Sequence, residues 1–271
     1  GKMLYQEGKL KYDEKLHIPA LRVIREIMAA MKVDSIPLLL RFVPLMNGLV
    51  GHKKNEMKDL ALQFFGDFVF WASEGLDNEM KSNLFTLAVD AAEKRKSSIA
   101  FGCFKQLALK APEIIIPNLN LVLSLIHNVL IDKKQTEAIM MAQDNCVSAL
   151  GMIAKNILFD KFPYNDFAVI ALRNMPPKVE VEESDDHLDF FEWLLVKSEN
   201  QNLEEYASVL IRLFSDSLDK MEEYCVSKEH VDKMRGYLRQ FYNTIPNMEQ
   251  LINEVCEGDE FKVGYVKEAL Q

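Results

Sequence analysis

The densest concentration of ionisable side chains lies between Glu180 and Asp189, where Glu180, Glu182, Glu183, Asp185, Asp186 and Asp189 crowd together with Lys178 as the nearest basic residue. Adjacency in sequence does not give carboxylates the different environments that would split their pKa values for acid–base catalysis. A run of like charges is better suited to attracting cations at long range. Phe190, Phe191 and Trp193 follow directly and offer aliphatic or cation–π contacts to the side chains of a Lys/Arg-rich peptide. A purely structural reading accounts for the same residues: Ser184 caps a helix whose first turn favours carboxylates, and the rest is a solvated loop.

Other chemistry is harder to assemble. The five histidines, His17, His52, His127, His187 and His230, are scattered. Cys225 and His230 are neighbours, yet a zinc site needs three or four ligands. Adjacent carboxylates such as Glu222-Glu223 and Asp185-Asp186 have no catalytic partner in view. The glycine-rich phosphate and dinucleotide motifs, the G-x-S-x-G nucleophile turn and the H-E-x-x-H metal motif are all missing. The expectation is a protein without catalysis, cofactor or metal.

Positioning these side chains falls to helices. The chain has 271 residues, 49% of them hydrophobic, enough apolar content to fill a core. Eleven glycines and nine prolines are few for this length, whereas a sandwich or barrel needs a turn every ~8–12 residues. A net charge of −9 argues against nucleic acid as a direct partner and suits a basic protein. Cys103, Cys146, Cys225 and Cys256 lie far apart without C-x-x-C spacing, the usage of reduced intracellular protein. The most apolar stretches, Ile36 to Val50 and Ile114 to Leu130, are interrupted by Arg41, Asn47, Pro117, Asn118, Asn120 and Asn128, so no membrane span is expected. The opening Gly1-Lys2-Met3 reads as a cut from something longer.

Apolar residues recur at three- and four-residue steps, as in Ala20, Val23, Ile24, Ile27 and in Ala142, Cys146, Ala149, Leu150, Ile153. This periodicity predicts helices at about 14–31, 36–51, 55–73, 77–92, 96–110, 113–131, 136–156, 164–175, 184–198, 202–219, 228–243, 246–257 and 259–270. Phe64, Phe65, Phe68, Phe70 and Trp71 occupy more of one helix than a single buried stripe needs, leaving one or two for a partner. Pro176 to Glu183 reads as an extended connection.

The helices come in repeating pairs. Ala20-Leu21-Arg22-Val23-Ile24-x-x-Ile27 superposes on Ala61-Leu62-Gln63-Phe64-Phe65-x-x-Phe68 at an offset of 41, Ala61 falls on Ala100 at 39, and Ala100 falls on Cys146 at 46. Lys53-Lys54, Lys94-Arg95-Lys96 and Lys133-Lys134 each follow the first helix of a pair, where cations complement its carboxyl end. A period near ~40 with two helices per unit is the HEAT or armadillo signature. The fold expected is therefore all-α: one HEAT-repeat right-handed solenoid over 1–271, regular to 156 and less regular, with a cap, over 157–271.

Asp144-Asn145-Cys146-Val147-Ser148-Ala149-Leu150-Gly151-Met152-Ile153 resembles a second helix of the importin-β (karyopherin-β) nuclear transport receptors, most of all the large importins of ribosomal proteins and histones. Leu172-Arg173-Asn174-Met175-Pro176, the acids that follow, and then Phe190, Phe191, Trp193 and Leu194 keep the family's order, and Ser98-Ile99-Ala100-Phe101-Gly102 resembles the preceding second helix. Met175-Pro176-Pro177 departs from the family's Leu-Pro-Leu, and 200–271 carry no matching motif. The resemblance spans roughly 35–200 and implies a carboxyl-terminal part of a longer receptor shuttling between cytoplasm and nucleus through the nuclear pore. It implies basic cargo (ribosomal proteins, histones) on the concave face, nucleoporin Phe-Gly repeats on the outer face, and the GTPase Ran bound by an amino-terminal part not included here. The residues it nominates for cargo are Asp144, Asn145, Glu182, Glu183, Asp185, Asp186, Asp189 and Trp193. A HEAT scaffold of another class, such as a subunit of a phosphatase or other assembly, is the rival reading.

Overall fold

A computed structural model describes residues 5–6, 9–10, 14–199, 201–215 and 228–271; Glu222, Glu223, Cys225 and the 216–219 end of the expected helix 202–219 lie outside them. The fold is all-α, apart from a two-residue antiparallel pair, β1 (Tyr5–Gln6) and β2 (Lys9–Leu10), with Tyr5 opposite Leu10. The chain divides into two compact units, 1–122 and 123–271.

In the first unit, α1 (Glu14–Met31) leads through a 3-10 turn at Lys32–Ser35 into α2 (Ile36–Leu39), α3 (Val43–Val50), α4 (Asn55–Ala72), α5 (Asn78–Arg95), α6 (Ser98–Lys110) and α7 (Pro112–Ile115). The single helix expected over 36–51 is broken at 40–42. Pro44 cannot donate a backbone hydrogen bond, and it opens α3 as a new first turn. Helix α5 starts where the Asp77 carboxylate accepts the Met80 N–H at 2.8 Å, and it ends at Lys96 in the left-handed conformation. Packing pairs α3 with α4 and α5 with α6, and sets the two second helices, α4 and α6, against each other.

The second unit takes up within α8 (Leu119–Leu130) and continues through α9 (Glu137–Ile153), α10 (Tyr164–Arg173), α11 (Ser184–Lys197), α12 (Leu203–Phe214), α13 (Lys228–Thr244), α14 (Met248–Val255) and α15 (Glu260–Leu270). Here α10 pairs with α11 and α12 with α13, while the second helices α9 and α11 pack together as do the first helices α10 and α12. The helix expected to reach 156 changes character at Ala154, where a π turn runs to Leu158 before Phe159, whose φ is 49°.

At the offset of 41, Ala20 is only half-buried and Val23, matched to the buried Phe64, is 59% exposed, so α1 does not share the buried face of α4. Ala61 on α4, Ala100 on α6 and Cys146 on α9 are 0% exposed, as the offsets of 39 and 46 require. Small residues at these positions let neighbouring helices approach. Gly66 and Gly151 carry this further. A Cβ at 66 would lie 3.0 Å from the Cys103 sulfur, and one at 151 would lie 2.9 Å from Phe190 Cβ.

Polar contacts have the same modular reach. Leaving aside bonds within a pair or across its connecting turns, side-chain hydrogen bonds in the first unit span 32 residues (Lys81 to Glu113) to 41 (Cys103 to Leu62). In the second unit they span 31 (Arg239 to Leu270) to 45 (His230 to Asp185). Within each unit, side chains of one pair thus bond to elements about one repeat along. Arg212 illustrates it: from α12 its guanidinium donates to the carbonyls of Leu172 and Met175 at 2.8 and 3.0 Å, satisfying the carboxyl end of α10 one unit earlier.

Among the described residues, the helical run Pro112–Leu130 is long and apolar enough to cross a membrane, so its asparagines do not by themselves exclude a span. Its apolarity has another use. Ile115, Val122, Ile126 and Val129 recur at helical spacing and form its buried stripe, while only 33% of the apolar window is buried.

Candidate functional site

Asp144 sits on α9 with its side chain fully buried. Its carboxylate accepts backbone N–H groups from three consecutive residues of the α10–α11 connection: Lys178 at 3.0 Å, Val179 at 2.8 Å and Glu180 at 3.0 Å. One buried charge thus replaces the backbone partners that an extended segment lacks. Beside it, His187 of α11 is also fully buried and donates from Nε2 to the Asp144 carbonyl at 2.9 Å. Burial holds the His187 pKa below the ordinary histidine value, against the opposing pull of Asp144 and nearby acids. Because a carbonyl oxygen can only accept, Nε2 carries a proton.

This geometry corrects the cargo assignment at Asp144. Its carboxylate is enclosed and its oxygens are engaged, so it organises the 178–180 backbone and is not offered to a partner. Asn145 is half-buried and donates to the Met141 carbonyl within its own helix at 3.2 Å. Ser184 is the first residue of α11, and its hydroxyl donates to the Val181 carbonyl at 2.6 Å instead of accepting a helix N–H, so the expected cap is not formed.

The remaining acids are brought together at the start of α11, but two of them already have partners within the chain. Asp185 lies 2.9 Å from His230 Nδ1 of α13, and Asp189 accepts from Lys155 at 3.4 Å. Glu182, Asp185 and Asp189 are exposed, whereas Glu183 and Asp186 are half-buried. Trp193 is half-buried as well. It meets Phe162 edge-on with centroids 5.3 Å apart, and the Lys197 ammonium lies 5.7 Å from its ring centre. The cation–π position foreseen for a cargo lysine is thus occupied by the chain's own.

Sequence reasoning missed one apolar feature. In the first unit, Val43 and Asn47 of α3, Phe65 of α4, and Met80, Asn83 and Leu87 of α5 line a crevice of about 100 Å³. It opens between successive first helices with Phe65 of a second helix beneath. Asn47 and Asn83 are exposed on it, and Phe65, Met80 and Leu87 are half-buried. The clue was available as Phe65 in the aromatic-rich helix, but the residues that complete the crevice come from helices about one repeat apart. Of the other aromatics there, Phe64 and Phe68 are core, while Phe70 and Trp71 are half-buried.

Among the described residues no three His, Cys, Asp or Glu side chains are grouped to hold a metal ion. Cys103 and Cys146 are buried free thiols, and burial first of all pushes both pKa values well up, leaving them protonated. No protein-family model matches the chain, and no curated protein is significantly similar to it.

Proposed function

We propose that the helix pairs are HEAT repeats and that the chain is a segment of an importin-β-type nuclear transport receptor, acting by binding and not by catalysis. The observation that carries this reading is the crevice between α3 and α5. It has the size for one aromatic ring, apolar walls to bury it, and two asparagine amides, Asn47 and Asn83, placed to hydrogen-bond the adjoining peptide backbone. That combination suits the phenylalanine of a Phe-Gly repeat, whose glycine lets the chain pass close to the helices. The one-unit reach of the hydrogen bonds and the equivalent burial of Ala61, Ala100 and Cys146 support the repeat architecture. Basic cargo, such as ribosomal proteins and histones, is the partner that the net charge and the exposed acids Glu182, Asp185 and Asp189 favour.

The test is retention on immobilised Phe-Gly peptide. The parent chain is expected to be retained, and Leu87→Asp, which places a charge on the crevice wall, is expected to pass through while keeping its helical circular dichroism. Passage of the parent unretained would overturn the receptor reading and leave a helical scaffold of another class.

A further inference from the structure

Lys32 and Lys110 are exposed, and neither makes an ion pair within the described residues. In the same unit Arg25, Lys81 and Arg95 each engage an acid, whereas the charges of these two lysines are not taken up in that way. Both lysines line one cleft of about 250 Å³ in the first unit, walled by Val33, Phe70, Trp71 and Glu74. At ~30 Å³ per water this is room for about eight waters, enough for a large side chain and a neighbouring carboxylate.

The cleft is preformed. One wall is the 3-10 turn Lys32–Ser35 and the other is the carboxyl end of α4 with the turn Ser73–Gly75. Gly75 lets the two turns lie close: a Cβ there would lie 2.7 Å from Val33 Cγ2 and closer still to Ile36 Cδ1, so a larger residue would make those side-chain ends shift. Lys32 is held at φ 47°, a left-handed conformation that costs a side-chain-bearing residue roughly 1–2 kcal/mol and persists only where the surroundings impose it. The floor is aromatic. Phe70 and Trp71 pack edge to face with centroids 4.7 Å apart, and the Lys110 ammonium lies 5.3 Å from the Phe70 ring centre. A cation over a ring keeps its charge available to an anion, which one paired to a carboxylate does not.

We propose that this cleft docks a partner peptide in which a large apolar side chain stands beside an aspartate or glutamate. The apolar side chain lies against Trp71, the carboxylate takes charge-assisted hydrogen bonds from Lys32 and Lys110, and Glu74 accepts from a peptide N–H at the rim. The occupant follows from charge complementarity. Two cations against one carboxylate leave the lining positive, so a basic peptide is disfavoured here even though the chain as a whole attracts one.

The chain has two tryptophans, so a Trp193→Phe background leaves Trp71 as the only indole. The probe is the acetylated, amidated peptide Glu-Asp-Phe-Asp-Glu, with controls in which its acids are lysine or its phenylalanine is glycine. The expected result is a saturable change in Trp71 emission, weakened about tenfold or more by Lys32→Glu with Lys110→Glu, retained by Lys32→Arg with Lys110→Arg, and lost with either control peptide. Calorimetric titration of the unsubstituted chain should give the same affinity, which guards against an effect of the Trp193 change. No saturable change up to about 1 mM peptide, equal binding by the glutamate variant, or equal binding of the lysine peptide would overturn the proposal.

Discussion

Gly151 of α9 faces Phe190 of α11 so closely that a Cβ on the glycine would lie 2.9 Å from both Cβ and Cγ of the phenylalanine. The atoms in the way are at the root of a fully buried side chain, which cannot swing aside. Gly151→Ala gains helix propensity of about 1 kcal/mol but forces the two second helices apart. A net destabilisation of about 1–3 kcal/mol is expected, read as a lower urea midpoint. An unchanged or raised midpoint would show that the contact has slack.

Asp144 should behave as a structural residue. Asp144→Asn keeps the volume but removes the charge, and it turns an amide toward backbone N–H donors that then lose an acceptor. Charge-assisted hydrogen bonds contribute about 1.5–3 kcal/mol each, and leaving buried donors unpaired costs as much again, so a loss of about 2–4 kcal/mol is expected. Faster amide exchange at Lys178, Val179 and Glu180 would localise it. Weakened peptide binding with stability intact would instead restore Asp144 to the binding surface.

Asp67 gives the stability a pH signature. Burial raises its pKa to about 6 against a lowering pull from Arg25, whose Nε lies 2.7 Å away. The folded state then holds this proton more tightly than the unfolded chain, with its ordinary value of 3.8. Its contribution is fully present below pH ~4 and is lost as the pH rises through about 6, to a total of at most about 3 kcal/mol. Asp67→Asn should therefore be more stable than the parent at pH 7, by about 1–3 kcal/mol, and the advantage should vanish near pH 4. Urea midpoints of both proteins across that range decide it; a variant weaker at pH 7 would show that the Arg25 pair outweighs desolvation.

Reversing Glu182, Glu183, Asp185 and Asp186 to lysine should weaken binding of a lysine-rich histone or ribosomal-protein segment by roughly 1 kcal/mol at low salt, a few exposed ion pairs at most. Asp185 already has His230 beside it, so Glu182→Lys alone should show a substantial part of the effect. The loss should shrink at ~0.15 M salt, where screening acts beyond about 8 Å. Equal affinity of parent and variant at low salt would leave the run as a solvated helix start.

The sequence by itself determined the helices and most of their ends. Periodic apolar positions such as Ala142, Cys146, Ala149 and Ile153 must share a face at 3.6 residues per turn whatever surrounds them, and the offsets that aligned Ala61, Ala100 and Cys146 mark the buried face of α4, α6 and α9, though not that of α1, where Val23 is exposed. Only the tertiary structure decided how the charged and aromatic residues are used. Asp144 reads as a surface acid until the 178–180 backbone folds over it, Trp193 reads as a docking ring until Lys197 and Phe162 cover it, and neither the Phe65 crevice nor the Lys32–Lys110 cleft exists along any one helix. The physical reason is one of range. Helix formation is governed by neighbours three and four residues away, whereas the burial of a charge and the shape of a crevice are set by residues about one repeat distant, whose approach no local pattern records.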